Sequence, residues 1–115
     1  NVTYAFACLI VTNRDQATEW YERFFGRPPN FLPNDNEAVW QVAQTASVYV
    51  LADSERAGHS VVTLVVDDLD ASLAEIASRG IMPGPIEDIT GAGRKSTTRD
   101  PDGNEVALVE LNSSS

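Results

Sequence analysis

The feature that most constrains this chain is that it is written twice. The stretch ACLIVTNRDQATEWYERFFG, residues 7–26, has a partner in VVTLVVDDLDASLAEIASRG, residues 61–80: Val11 matches Val66, Asn13 matches Asp68, Asp15 matches Asp70, and Gly26 falls near Gly80. A self-similar period of about half the chain requires a fold built from two similar units. In each copy the order is an apolar strand, a capping residue, an amphipathic helix and a glycine.

Local chemistry supports each step. Residues 4–11 form the first apolar run, Asn13 with Gln16 three positions on is an N-cap signal, and Ala17, Trp20, Tyr21, Phe24 and Phe25 recur at helical spacing before Gly26. In the second copy Asp68 is the cap, Asp70 favours the positive helix end, and Leu69, Leu73, Ile76 and Ala77 make the stripe before Gly80. The pattern predicts helices over 13–25 and 68–79. Short strand candidates follow each one, near 29–33, 36–43 and 46–52, then near 85–89, 93–99 and 104–111, divided by PNDN, QT, GAG and DPDG. Each half is therefore βαβββ, an α+β unit. A lone four-stranded sheet with one helix leaves a face bare, so two halves forming curved mixed sheets around a cavity, with the helices outside, are expected. The polar stretch LADSERAGH sets the boundary: module one spans about 3–52, the linker 53–58, and module two about 59–111 of a single domain.

A chain of 115 residues is long enough to bury roughly two thirds of its unfolded surface without covalent staples. The single Cys8 cannot pair within the chain, no stretch is long and apolar enough to span a bilayer, and a cytoplasmic setting is the expectation. Seventeen acidic residues against eight basic ones give a net charge of −9, which repels a phosphate backbone; neither nucleic acid nor a membrane is an expected partner.

Paired βαβββ units, the V-x-D/N step into an amphipathic helix, and DPDGN before the last strand together resemble the vicinal oxygen chelate superfamily over roughly residues 3 to 111. That superfamily includes glyoxalase I, extradiol dioxygenases, fosfomycin resistance enzymes and bleomycin resistance proteins. The resemblance implies that metal-using members hold a divalent ion with His, Gln or Glu side chains from four strands, where it acts as a Lewis acid. On this alignment the four slots fall at Phe6, Tyr49, Val61 and Ala107, none of which is a good ligand. No metal and no other cofactor is therefore expected.

Period-two alternation assigns the faces. If Ala7, Leu9 and Val11 point at the helix, then Phe6, Cys8 and Ile10 point away from it; likewise Val62, Leu64 and Val66 leave His59, Val61, Thr63 and Val65 on the other face. The same register puts Ser47, Tyr49 and Leu51, and Glu105, Ala107 and Val109, on that face. Phe6, Trp40 and Tyr49 are either an aromatic wall suited to a flat or cationic ligand or simply core. Cys8 reads as a small buried apolar residue and His59 as a surface histidine. Glu105 could meet a ligand amine or stay wet. Arg94, in the glycine-rich hairpin GAGRK, is a further candidate for ligand contact.

Two function classes result. One is a metal-independent small-molecule binding protein resembling bleomycin resistance proteins, a homodimer that sequesters an apolar-aromatic or cationic ligand. The alternative is a lyase, isomerase or dioxygenase of the same superfamily. Fold alone does not choose between them, and the balance of slots leans away from an enzyme.

Overall fold

The computed structural model describes residues 1–112. Module one is β1 (Ala5–Val11), α1 (Arg14–Phe25), β2 (Phe31–Asn34), β3 (Glu37–Ala43) and β4 (Ala46–Ala52); module two is β5 (Val61–Val65), α2 (Leu69–Ser78), β6 (Ile86–Ile89), β7 (Gly93–Arg99) and β8 (Glu105–Leu111). Two four-stranded mixed sheets result, with orders β1-β4-β3-β2 and β5-β8-β7-β6. In each, the first strand of the module pairs in parallel with the last while the remaining pairs are antiparallel. The repeated sequence thus becomes a repeated topology.

Each helix begins where its cap is written. Asn13 Oδ1 accepts from the Gln16 N–H at 2.9 Å, and Asp68 Oδ1 accepts from the Ala71 N–H at 3.1 Å. α1 buries Ala17, Trp20, Tyr21 and Phe24; α2 buries Leu69, Leu73 and Ile76. These stripes join Leu9, Val11, Val48, Val50, Val62, Val106 and Leu108 in one core that runs through both modules. Both helices therefore lie on the same side of the sheets, and the opposite sheet faces are left to other uses.

α1 ends at Gly26, whose φ of 79° suits a residue without Cβ and whose N–H donates to the Glu22 carbonyl. The Arg79 guanidinium arrives from the end of α2 and donates to the carbonyls of Arg23 and Phe24, so one module caps the helix of the other. A second tie is the turn between β7 and β8. Asp102 accepts from the Thr12 N–H and hydroxyl, while the Asn104 amide donates to the Ile10 carbonyl and accepts from the Ser60 N–H. Asp100, only 5% exposed, accepts from the Tyr21 hydroxyl at 2.8 Å. DPDGN is a turn, as its composition predicts, and also a polar clasp gripping β1, α1 and the start of β5.

Candidate functional site

The register places the open, helix-distal face as alternation predicts. Phe6, Cys8 and Ile10 of β1 stand opposite Ser47, Tyr49 and Leu51 of β4, and Val61, Thr63 and Val65 of β5 stand opposite Glu105, Ala107 and Val109 of β8. Their helix-side neighbours, Leu9, Val11, Val62, Val106 and Leu108, are in the core. In the single chain this open face is a surface: Phe6, Val61 and Val65 are 60%, 68% and 63% exposed. Ala107 and Val109 are buried between their neighbours.

Module one supplies the aromatic part. The Phe6 ring lies 4.9 Å from Tyr4 and 6.3 Å from Tyr49, the latter edge-on, and the Tyr4 and Ser47 hydroxyls share a hydrogen bond of 2.6 Å. Glu37 of β3 occupies the same face, opposite Leu51, and its charge raises the pKa of both Cys8 and Tyr49. Burial is the larger cause at Cys8, pushing the thiol above its usual range; at Tyr49 the neighbouring Cys8 is the larger cause and burial the next. Both groups are neutral at neutral pH, and the carboxylate beside them leaves this patch aromatic and acidic. Tyr4 and Glu37 are absent from the set read off the sequence. Tyr4 precedes the strand proper, and alternation in EAVWQVA is blurred by two further apolar residues, although Glu37 opening that run was a usable sign.

Trp40 and Arg94 lie away from this face. Trp40 points to the helix side: it is fully buried, 6.0 Å from Tyr21 and 5.5 Å from Phe25, with its indole N–H donating to the Arg27 carbonyl. The indole needs an acceptor when buried, and the turn after α1 provides one. Arg94 likewise lies on the helix side of β7, where it pairs with Asp70 at 3.0 Å and Glu110 at 3.4 Å. Acid at the start of α2 holds it there. His59 is exposed just before β5, and Glu105 is half-buried at the start of β8.

The four slots implied for metal chemistry carry Phe6, Tyr49, Val61 and Ala107, so their side chains offer one phenol and no carboxylate, imidazole or thiolate. Among the described residues no three His, Cys, Asp or Glu side chains converge in a group that could hold a metal ion. The residues at these slots do not fit the family's metal.

A family model described as Glyoxalase/Bleomycin resistance protein/Dioxygenase superfamily matches residues 3–108. Among solved structures, a glyoxalase/bleomycin resistance protein from Catenulispora acidiphila DSM 44928 is 38% identical, with a TM-score of 0.89 over 95% of this chain and 98% of that one. The antibiotic binding protein TnmS3 from Streptomyces sp. CB03234 is 20% identical, with a TM-score of 0.75 over 97% and 96% of the two chains. A bleomycin-binding protein from Streptomyces verticillus, solved with copper(II)-bleomycin, is 19% identical, with a TM-score of 0.76 over 93% and 94%. No curated protein matches the sequence. With the repeated βαβββ topology, a family match across nearly the whole chain and a relative this similar over its full length, the chain belongs to the glyoxalase/bleomycin resistance protein/dioxygenase superfamily.

Proposed function

We propose that this protein is a metal-independent small-molecule binding protein that takes a flat, apolar-aromatic or cationic ligand on the open sheet face. The observation that carries this reading is the substitution of an aromatic surface for a donor set. Phe6 and Tyr49 stand at two of the slots where relatives with metal chemistry place ligands, Tyr4 extends the ring cluster, and Glu37 adds negative charge beside it. Aromatic faces attract cations, and a nearby carboxylate strengthens that preference. Bleomycin-binding and antibiotic-binding proteins share the fold, which is consistent with such a use. The working form is a homodimer, because Phe6, Val61 and Val65 are too exposed for one chain to seal a ligand away, and a second copy over this face would. No described helix is long and apolar enough to cross a membrane, and a reducing, cytoplasmic setting suits the free Cys8.

The test combines titration with elemental analysis. Metal-free bleomycin and the planar cation acriflavine are titrated into the wild type, Phe6→Ala and Tyr49→Ala. Saturable binding weakened roughly tenfold or more by either substitution supports the reading. Absence of saturable binding by either probe refutes the ligand class. One tightly held divalent ion per purified chain, with turnover of a hemithioacetal or a catechol, would move the protein to the enzyme branch.

A further inference from the structure

A cleft of about 480 Å³ opens between the modules, where the end of α1, the β3–β4 hairpin, β5 and α2 meet, with Thr63 and Val65 of the open face among its lining residues. It is separate from the aromatic patch of module one. Its walls are apolar, made by Phe24, Phe25, Leu64, Val66, Ile76 and Leu108. The β3–β4 hairpin contributes Val42, Ala43 and Ala46 to its lining. Its volume lies within the range that holds small organic ligands, roughly 300–1,000 Å³.

Charge says what kind. Arg27 and Arg79 both line the cleft, against a single acid, Glu75, and none of the three makes an ion pair among the described residues. Both guanidinium groups are held in place by neutral acceptors. Arg79 donates to the carbonyls of Arg23 and Phe24, and Arg27 donates to Asn30 Oδ1 and the Gln41 carbonyl. A guanidinium has five N–H donors, so each keeps some for a further partner, and none of that positioning depends on a ligand. Two guanidinium groups with spare donors against one acid leave the polar end of the cleft net positive, which suits an anionic head group. We infer that this inter-module cleft binds an amphipathic carboxylate, with its apolar tail against Phe25, Leu64 and Ile76 and its head group at Arg27 and Arg79.

The ligand reports on itself, because Trp20 stacks on Phe24 at 5.4 Å and Trp40 lies 5.5 Å from Phe25, so both indoles sit one ring behind the cleft wall. Decanoate is titrated below micelle formation with tryptophan fluorescence as the readout, beside decyltrimethylammonium, which carries the same tail with the opposite charge. Variants are Ala43→Phe, which fills the cleft from an exposed strand end, Arg27→Gln, and Phe6→Ala in the separate aromatic patch of module one. The expected result is saturable binding of decanoate at least about tenfold tighter than of the cation, weakened about tenfold by Arg27→Gln and abolished by Ala43→Phe, with Phe6→Ala unchanged. Equal binding of both probes overturns the charge assignment. Loss of the decanoate response in Phe6→Ala but not in Ala43→Phe overturns the location. Absence of saturation overturns the site, and an Ala43→Phe variant that changes only the oligomeric state in sedimentation overturns it in favour of a second copy of the chain.

Discussion

Replacing Asp100 by asparagine exchanges one carboxylate oxygen for an amide nitrogen at the centre of the clasp, and the structure sets the size of the penalty. Asp100 Oδ1 accepts from the N–H groups of Asp102 and Asn104 at 3.0 and 2.9 Å; Oδ2 accepts from the Tyr21 hydroxyl and the Asn104 side-chain amide, each at 2.8 Å. These four donors and no cation satisfy a carboxylate that is 5% exposed. In Asp100→Asn the new NH₂ is best aimed at Tyr21, whose hydroxyl can turn and accept. Asn104 cannot adapt in the same way, since its oxygen is committed to Ser60 and its nitrogen to Ile10. One charge-assisted bond is lost outright, about 1.5–3 kcal/mol, and the two backbone bonds fall to neutral strength. Removing a buried charge returns part of this. The expected net loss is about 2–4 kcal/mol, read as a lower urea midpoint at unchanged slope with Trp20, 4.7 Å from Tyr21, as the fluorescent reporter. A loss below about 0.5 kcal/mol, the scale of an ordinary surface substitution, would refute the claim that this turn clamps the modules together.

The same site sets an alkaline limit. The Tyr21 phenol is pushed far above its usual 10.0 by burial first and then by the Asp100 charge and hydrogen bond, so the folded state keeps a proton that the unfolded state releases. Stability is full below pH 10 and should fall above it by at most about 1.4 kcal/mol per pH unit; alkaline urea titrations of Tyr21→Phe should lack that slope, at a cost near neutrality of about 1–2 kcal/mol. Gly26→Ala should cost about 1–2 kcal/mol, because it places a side chain at φ 79° and sets a Cβ 3.0 Å from the Arg79 guanidinium carbon. A double-mutant cycle with Arg79→Met should show coupling between the two, and strict additivity would sink the inter-module cap. The Cys8 thiol, raised by burial, should be alkylated slowly by iodoacetamide at pH 7 and markedly faster only above pH 9; rapid labelling at pH 7 would contradict its environment.

Much of this was legible beforehand because it is local. The strands 93–99 and 46–52, the caps at Asn13 and Asp68, the helix-ending Gly26 and the facing of Phe6, Cys8, Val61 and Ala107 all follow from spacings of two to four residues. Where alternation is blurred the face stays open: Trp40, flanked by apolar neighbours, could be wall or core, and the structure buries it beside Tyr21. The place of Arg94 is not written locally either, since a cation near a turn goes wherever a folded partner holds it, and Asp70 and Glu110 hold it on the helix side.

The sequence by itself determined a duplicated βαβββ fold, the facing of its main strands and the aromatic character of the slots where relatives place metal ligands, since periodicity and capping are properties of neighbouring residues. Only the tertiary structure decided how the halves are joined. Tyr21 reaches Asp100 across 79 positions, Thr12 reaches Asp102 across 90, and Ile10 reaches Asn104 across 94. Arg79 closes the end of α1 across 55. Such pairs carry no local signature, because a buried polar group needs a partner in space and nothing in its neighbouring sequence says which one it will meet.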